Sequence, residues 1–299
     1  MIQTIHYQIH EVSNYINWLY FFHAWGFPAR YASITKIHGC DSCRASWLTT
    51  FPVEERAKAA EAMQLHKEAV RMLNHLDVQG YQTHVRFGLF DCNSEGDDVV
   101  ITESSTVLSF LRQQVEPFLC LSDFIRPLNP EGVRDCIGVF AACADETIEH
   151  LYEDTDDYKR LLCQTLADRL AEAAIERAHE AIRKFYWGYA SDEKLSIGDL
   201  HAERFQGIRP AVGYPSLPDQ SLNFDLDRLI DFSAIDIRLT ENGAMQPHAS
   251  VSGLMLSHPH AHYFSIGKIG EDQLLDYAQR KGRTAEEMRP FLSSNLQSK

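Results

Sequence analysis

The sequence has no uninterrupted hydrophobic run of membrane-spanning length. Its most apolar early stretch, Trp18 to Phe27, is broken by His23 and falls well short of the ~20 residues a bilayer requires. The N-terminus shows no basic region leading into an apolar block and a small-residue cleavage site, so no secretory signal is expected. The reading is a cytoplasmic chain without a membrane partner. Positive charge is scarce as well: 28 Lys and Arg stand against 42 Asp and Glu, a formal net charge of −14. No basic face capable of neutralising phosphates is visible, which excludes nucleic acid as a partner. The seven cysteines are odd in number and lack framework spacing, as expected of reduced thiols rather than a disulfide scaffold. No Gly-x-Gly-x-x-Gly follows a strand-like run, which removes a Rossmann dinucleotide site. Repeats, low-complexity blocks and Gly/Ser linkers are absent too, so the 299 residues read as one continuous domain.

What is present is ordinary globular material, 44% apolar and 23% charged. Apolar spacing predicts a helix over Val53–Leu76 with Ala60, Met63, Val70, Leu73 and Leu76 on one face. Tyr81–Leu89 and Val99–Ile101 alternate like strands around the Asn93–Asp98 turn. Val107–Glu116 is expected to be helical, and Ile137–Cys143 reads as a buried strand. The longest helix is expected over Asp157–Trp187, stopped by Gly188, with Leu162, Leu166, Leu170, Ala174, Ala178 and Ile182 as its apolar face. Asp225–Phe232 and Asp272–Lys281 are further helices, and Thr284 with Glu287 forms a capping box for a last one. Ile235–Leu239, Ser250–Met255 and Tyr263–Ile269 are expected to be strands of one sheet. Late strands mixed with helices argue for α+β rather than a doubly wound sheet.

The most informative segment is Gly207-Ile208-Arg209-Pro210-Ala211-Val212-Gly213-Tyr214-Pro215-Ser216-Leu217-Pro218. Its three prolines fix φ and remove donors, so it belongs neither in a helix nor in a central strand. Gly213 permits a turn or a close backbone approach. One guanidinium fork, Arg209, and one aromatic with a polar tip, Tyr214, suit a small carboxylate-bearing ligand with an apolar or cationic body. A proline-rich structural loop would explain the same residues.

Three other constellations invite a metal. Glu172, Glu176, His179 and Arg183 share one side of the long helix, but a di-metal bundle needs a second Glu-x-x-His and none is found; an ion-paired polar stripe accounts for them. His258, His260 and His262 alternate, yet Pro259 disturbs the strand and no thiolate or carboxylate completes a set. Cys40-Asp41-Ser42-Cys43 with nearby His38 has metal or redox spacing, without the second pair a zinc knuckle uses.

The wider pattern carries a resemblance. Asn14-Tyr15-Ile16-Asn17-Trp18, Gly88-Leu89-Phe90, Ala167–Ala173, Glu176–His179, Tyr186-Trp187-Gly188-Tyr189-Ala190, the Arg-Pro loop, Ala249–Gly253, Ser257-His258-Pro259 and Tyr263-Phe264 occur in one order. In that order the chain resembles the AdoMet-binding activation domain of cobalamin-dependent methionine synthase, most densely from about Leu166 to Leu296. The resemblance implies a C-shaped domain with a central twisted antiparallel sheet flanked by helices and a helical N-terminal arm. Residues 1–80 would form the arm and packed helices, and 81–299 the body. It implies binding of S-adenosylmethionine (AdoMet), with Arg209 on the ligand carboxylate, Tyr263 and Phe264 at its edge, and Pro210, Gly213 and Tyr214 shaping the groove. Asn17 stands where the family pattern has an aspartate that meets AdoMet.

The chemistry so implied is reactivation of oxidised cob(II)alamin: an electron from a flavodoxin-like donor is coupled to methyl transfer from AdoMet. The domain would position the methyl group for a cobalamin held by a methionine synthase partner, a component role in which the chain does not act alone. No general base is needed, and no nucleophile–base pair is found. Asp199-Leu200-His201 begins a cobalamin-binding pattern, but Arg204 replaces its glycine, so cobalamin is expected only through the partner. Action in trans and origin as a fragment both fit, as does an alternative function: a non-catalytic AdoMet-sensing or interaction protein that kept the fold.

Overall fold

The computed structural model of the chain describes residues 1–297; residues 298 and 299, the end of the expected body, lie outside them. Strand β1 (Ile2–Gln8) leads into α1 (Ile9–Val12), then α2 (Trp18–Ala24), α3 (Asp41–Thr49) and the long α4 (Arg56–Val78). Next come β2 (Gln82–Glu95), β3 (Asp98–Ile101), β4 (Val107–Ser109) and β5 (Asp135–Ala144). Helix α5 (Asp157–Ala181) continues as a π-turn over Ile182–Tyr186 and stops at Gly188, whose φ of +77° a glycine adopts without penalty. After α6 (Ile197–His201) and the Arg-Pro loop come α7 (Leu222–Ile230), β6 (Arg238–Leu239), β7 (Met245–Gln246), β8 (Ser250–Met255), α8 (Glu271–Arg280) and α9 (Ala285–Met288).

A six-stranded antiparallel sheet in the order β4-β3-β2-β5-β8, with β1 also on β2, organises the molecule. The long β2 holds it together: residues 82–88 pair with β1, residues 83–92 with β5, and residues 92–95 with β3. Both faces are covered, which explains why β5 is a continuous apolar run. Its even positions Phe140, Ala142 and Ala144 pack with α4 and α5, and its odd positions Ile137, Val139, Ala141 and Cys143 pack with α7 on the other side. The α5 face expected from periodicity is buried in full, Leu162 to Ile182, each large side chain contributing about 2 kcal/mol of burial. The α+β architecture with helices flanking an antiparallel sheet matches the expectation.

Four local expectations are corrected. Residues 107–116 are not helical: Val107 and Leu108 complete a hairpin against Val100 and Val99, and Val115, needed for a helical stripe, is 67% exposed. Residues 263–269 form no ladder, and Arg238–Leu239 pairs only with Met245–Gln246 in a separate two-stranded sheet. The buried seam of α4 runs through Ala59, Ala62, Leu65, Ala69, Met72, Leu73 and Leu76, leaving Val70 exposed. Small alanines let the helix approach its neighbours, whereas the expected face followed the larger side chains. The seven residues of β1 join the sheet edge ahead of the N-terminal helices.

Candidate functional site

The Arg-Pro loop is docked along the free edge of β8. Ile208 and Leu256 exchange both backbone hydrogen bonds at 2.9 Å, the Leu254 N–H donates to the Pro210 carbonyl at 3.0 Å, and the Val212 N–H donates to the Ser252 carbonyl at 2.9 Å. Proline tolerates this position because an edge residue can accept without donating. The approach is close enough to demand glycine twice. A Cβ on Gly207, at φ +86°, would lie 2.2 Å from the Leu256 carbonyl oxygen, and one on Gly253 would lie 2.2 Å from that of Pro210. With Ile208 buried beneath the loop, extended alternation turns Arg209 to the opposite side, toward α5.

There it meets a cleft of about 220 Å³ whose walls come from separate parts of the chain. Tyr15, Asn17 and Tyr20 approach from the N-terminal segment, and Arg169, Glu172 and Glu176 from successive turns of α5. Glu203 and Phe205 follow α6, Tyr214 ends the loop, Tyr263 closes one side, and Phe140 lies beneath. At the base the Arg209 guanidinium binds Glu176 at 2.7 Å, the two side chains only 11% and 12% exposed, and reaches the Ile175 carbonyl at 3.3 Å. The Arg209 backbone N–H donates to the Tyr263 hydroxyl at 2.9 Å, which fixes that ring. The Tyr214 hydroxyl donates to Glu172 at 3.1 Å.

The cleft is electrostatically mixed and densely coupled. Burial works against the Arg209 charge, but Glu176 outweighs it and holds the guanidinium more firmly protonated than usual. The Glu172 charge, followed by burial, pushes the Tyr214 hydroxyl up to about 12. Desolvation, then the Glu176 charge, raises the Glu203 carboxyl. Glu203 also sits at φ +56°, an uncommon conformation for a side-chain-bearing residue, of the kind that gathers at ligand sites. The second Glu176 oxygen, Oε1, is buried and has no hydrogen-bond partner. A buried carboxylate oxygen so placed favours a ligand that brings a donor.

The remaining stripe residues stand behind the cleft. Arg183, wholly buried, makes two bonds to Glu193 at 2.6 and 2.9 Å, donates to His179 Nδ1 at 2.8 Å, and lies over the Phe205 ring. Burial, then the Arg209 and Arg183 charges, keeps His179 neutral far below the ordinary histidine range. Each stripe residue thus has a polar partner: Glu172 has Tyr214, Glu176 has Arg209, and His179 and Arg183 bond to each other, with Arg183 also held by Glu193.

Of the residues singled out in the sequence, Asn17, Arg209, Tyr214 and Tyr263 line one cleft. Pro210 and Gly213 lie in the loop that carries them and do not line it. Phe264 packs on Phe124 at 6.3 Å and seals the apolar core beside the cleft. The Asn17 side chain is committed as the N-cap of α2, accepting from the Leu19 N–H at 3.2 Å. His258, His260 and His262 lie in irregular backbone, with His258 and His262 against Phe124. His201 donates to the Tyr15 carbonyl at 2.9 Å, tying α6 to the N-terminal segment. The pairing of Glu176 with Arg209 is not visible in the sequence, where Glu176 read only as part of an ion-paired polar stripe on the long helix. Among the described residues no helix is long and apolar enough to cross a membrane.

Residues 8–282 match the family model described as vitamin B12 dependent methionine synthase, activation domain. Among solved structures, the crystal structure of the MetH reactivation domain bound to AdoHcy is similar at a TM-score of 0.85 and 35% identity. That match covers 100% of this chain and 91% of that chain.

Proposed function

Because the chain belongs to the family of vitamin B12 dependent methionine synthase activation domains, we propose that its cleft binds AdoMet and presents the methyl group for reductive methylation of cob(II)alamin on a partner protein. The observation that carries the reading is the Arg209–Glu176 pair at the base of the cleft, with the Glu176 Oε1 atom left unsatisfied. AdoMet brings one carboxylate, one ammonium and one sulfonium. The cleft offers guanidinium groups on Arg169 and Arg209 and carboxylates on Glu172, Glu176 and Glu203, so both signs of the ligand find partners. Tyr20, Tyr214 and Tyr263 supply rings for the adenine and the cationic sulfur. Arg209, Tyr214, Tyr263 and Asn17 are the proposed contacts, with Pro210, Gly213 and Phe264 shaping the groove.

The chain's own work is positioning. A methyl group on a sulfonium is transferred with the C–S electron pair leaving on sulfur, so no proton moves and no base is required. The cleft's charged groups would hold the two ends of the ligand, and its aromatic rings would meet the cation. A cobalamin held by a methionine synthase partner in the cytoplasm would be the methyl acceptor, with the accompanying electron supplied by a flavodoxin-like donor. On this reading the chain is a component of a methyltransferase and is inactive alone.

Calorimetric titration with AdoMet and with AdoHcy tests the first step, and one ligand per chain is expected for each. The second step is tested by mixing the chain, AdoMet, a reductant and a cognate corrinoid protein. The visible spectrum is expected to pass from cob(II)alamin to methylcobalamin. Tight AdoMet binding with an unchanged cob(II)alamin spectrum would favour an AdoMet-sensing protein, a reading supported by the uncharged Asn17 at the cleft wall.

A further inference from the structure

The exit of the 3-10 segment Ala29–Lys36 and the start of α3 bring together chemistry that the cleft does not use. His38, Cys40 and Cys43 each offer a ligand atom, and the three atoms lie within 4.8 Å of one another. None of them lines the cleft. Cys40 is the N-cap of α3, and its sulfur accepts from the Cys43 N–H at 3.4 Å, which holds it over the first helical turn. Cys43 stands three residues further along, on the same side of the helix. Nearby Arg44 and Asp41 pair with each other at 3.4 Å, so neither charge competes for the sulfurs. The far end of α3 is anchored: the Trp47 indole donates to Ser33 at 3.0 Å and its ring packs edge-on against Phe51.

We propose that His38, Cys40 and Cys43 form a binding site for a soft divalent cation of the zinc class, with two thiolates, one imidazole and a fourth position open to solvent or an external ligand. Zinc–sulfur distances of about 2.3 Å and zinc–nitrogen distances of about 2.0–2.1 Å place tetrahedral donors roughly 3.5 Å apart. Donors within 4.8 Å of one another, at the start of α3 and in the residues just before it, lie close to that spacing. Thiolate and imidazole select zinc over magnesium or calcium, which require oxygen ligands. His38 distinguishes this set from a simple dithiol, since a disulfide has no use for a third ligand. The other cysteines, Cys92, Cys120, Cys136, Cys143 and Cys163, belong to no such group among the described residues. Bound metal would clasp the loop between the 3-10 segment and α3 through groups three and five residues apart.

Cobalt(II), added alone to the reduced, metal-stripped full chain, is the probe. One equivalent is expected to give the visible bands of tetrahedral cobalt and a near-ultraviolet thiolate charge-transfer band, both abolished by added zinc. The Cys40→Ser/Cys43→Ser chain is expected to lose both features while keeping its circular dichroism. The His38→Gln chain, with both thiols intact, should keep the charge-transfer band and lose about 10-fold or more in affinity, at least the penalty of an outer-sphere change. A weak octahedral spectrum in the wild type overturns the proposal, as does survival of the bands in the double variant or unchanged affinity in His38→Gln.

Discussion

Arg209 and Glu176 define the residue scale, because each exists in its buried position only by virtue of the other. Removing one member of such a pair strands the other charge, whereas removing both is far cheaper. Arg209→Ala is therefore expected to lower unfolding stability by about 2–3 kcal/mol and to cost a similar amount of AdoMet binding. Adding Glu176→Gln should restore at least half of the stability without restoring the ligand. Urea denaturation and calorimetry on the four chains of the cycle give the answer; recovery of binding in the double variant would exclude Arg209 as a ligand contact. Asn17 gives a second, opposite test. It caps α2, and aspartate caps a helix equally well, so Asn17→Asp preserves the fold while placing an anion at the cleft wall. AdoMet is expected to bind several-fold tighter, a gain on the order of 1 kcal/mol. AdoHcy, whose sulfur is neutral, should gain less. Equal gains for both ligands would show that the introduced carboxylate does not feel the sulfonium. Of the residues that share the cleft, Arg209 and Tyr214 stood out by themselves, as a lone guanidinium and a polar-tipped ring in a stiffened segment, whereas Asn17 and Tyr263 were named only through the family resemblance. The partner of Arg209 was missed, because contacts between residues 33 positions apart follow from the docking of two elements.

At the scale of elements, the site depends on a loop behaving as a sheet edge without being a regular strand. Prolines and glycines in the Arg-Pro segment announced that it is neither a helix nor a central strand, and that much was legible. Its partner was not, since the edge of β8 advertises nothing beyond an apolar alternation and Gly253. Residues 107–116 show the converse: a helical stripe was readable, and strand pairing overrode it through contacts with Val99 and Val100. Gly207 tests the docking directly. Alanine there would have to hold φ near +86° with its Cβ 2.2 Å from a backbone oxygen that cannot rotate away. A loss of at least ~2 kcal/mol is expected, with weakened AdoMet binding because Arg209 is displaced. Gly282 has φ +65° but open space around its missing Cβ. Gly282→Ala should cost only about 1 kcal/mol and leave ligand affinity intact. If Gly207→Ala binds AdoMet like the wild type, the loop does not orient Arg209 in the way described.

For the whole molecule, the α+β class and the burial of α5 could be read from periodicity, as could two strands around the Asn93–Asp98 turn, while the order of the other strands could not, because partners far apart in sequence are brought together only by the assembled fold. Stability against pH is likewise a property of the assembled core, and two histidines contribute to its loss between pH 6.5 and pH 4. His66 lies edge-on to Trp18 and stacked on Phe22; burial, then the Arg44 charge, lowers it to about 4. His179 is held neutral still more strongly by burial and by Arg209 and Arg183. In the unfolded chain both take up protons near the ordinary value of about 6.5. Below that pH the unfolded state therefore binds more protons than the folded one, and stability falls as pH falls. For His66 the contribution is complete above about 6.5 and is lost progressively down to about 4, at up to about 1.4 kcal/mol per pH unit. Asp168 and Glu203, both raised by burial, act with the opposite sign: the folded state holds their protons to higher pH, which opposes part of the loss in acid. Phenylalanine fits the aromatic surroundings of His66 and cannot take up a proton. The urea midpoint of wild type is expected to drop steeply between pH 6.5 and pH 4, and that of His66→Phe to drop with a visibly shallower slope. Parallel slopes in the two chains would mean that His66 is protonated without unfolding, and that the acid sensitivity resides in other groups such as His179.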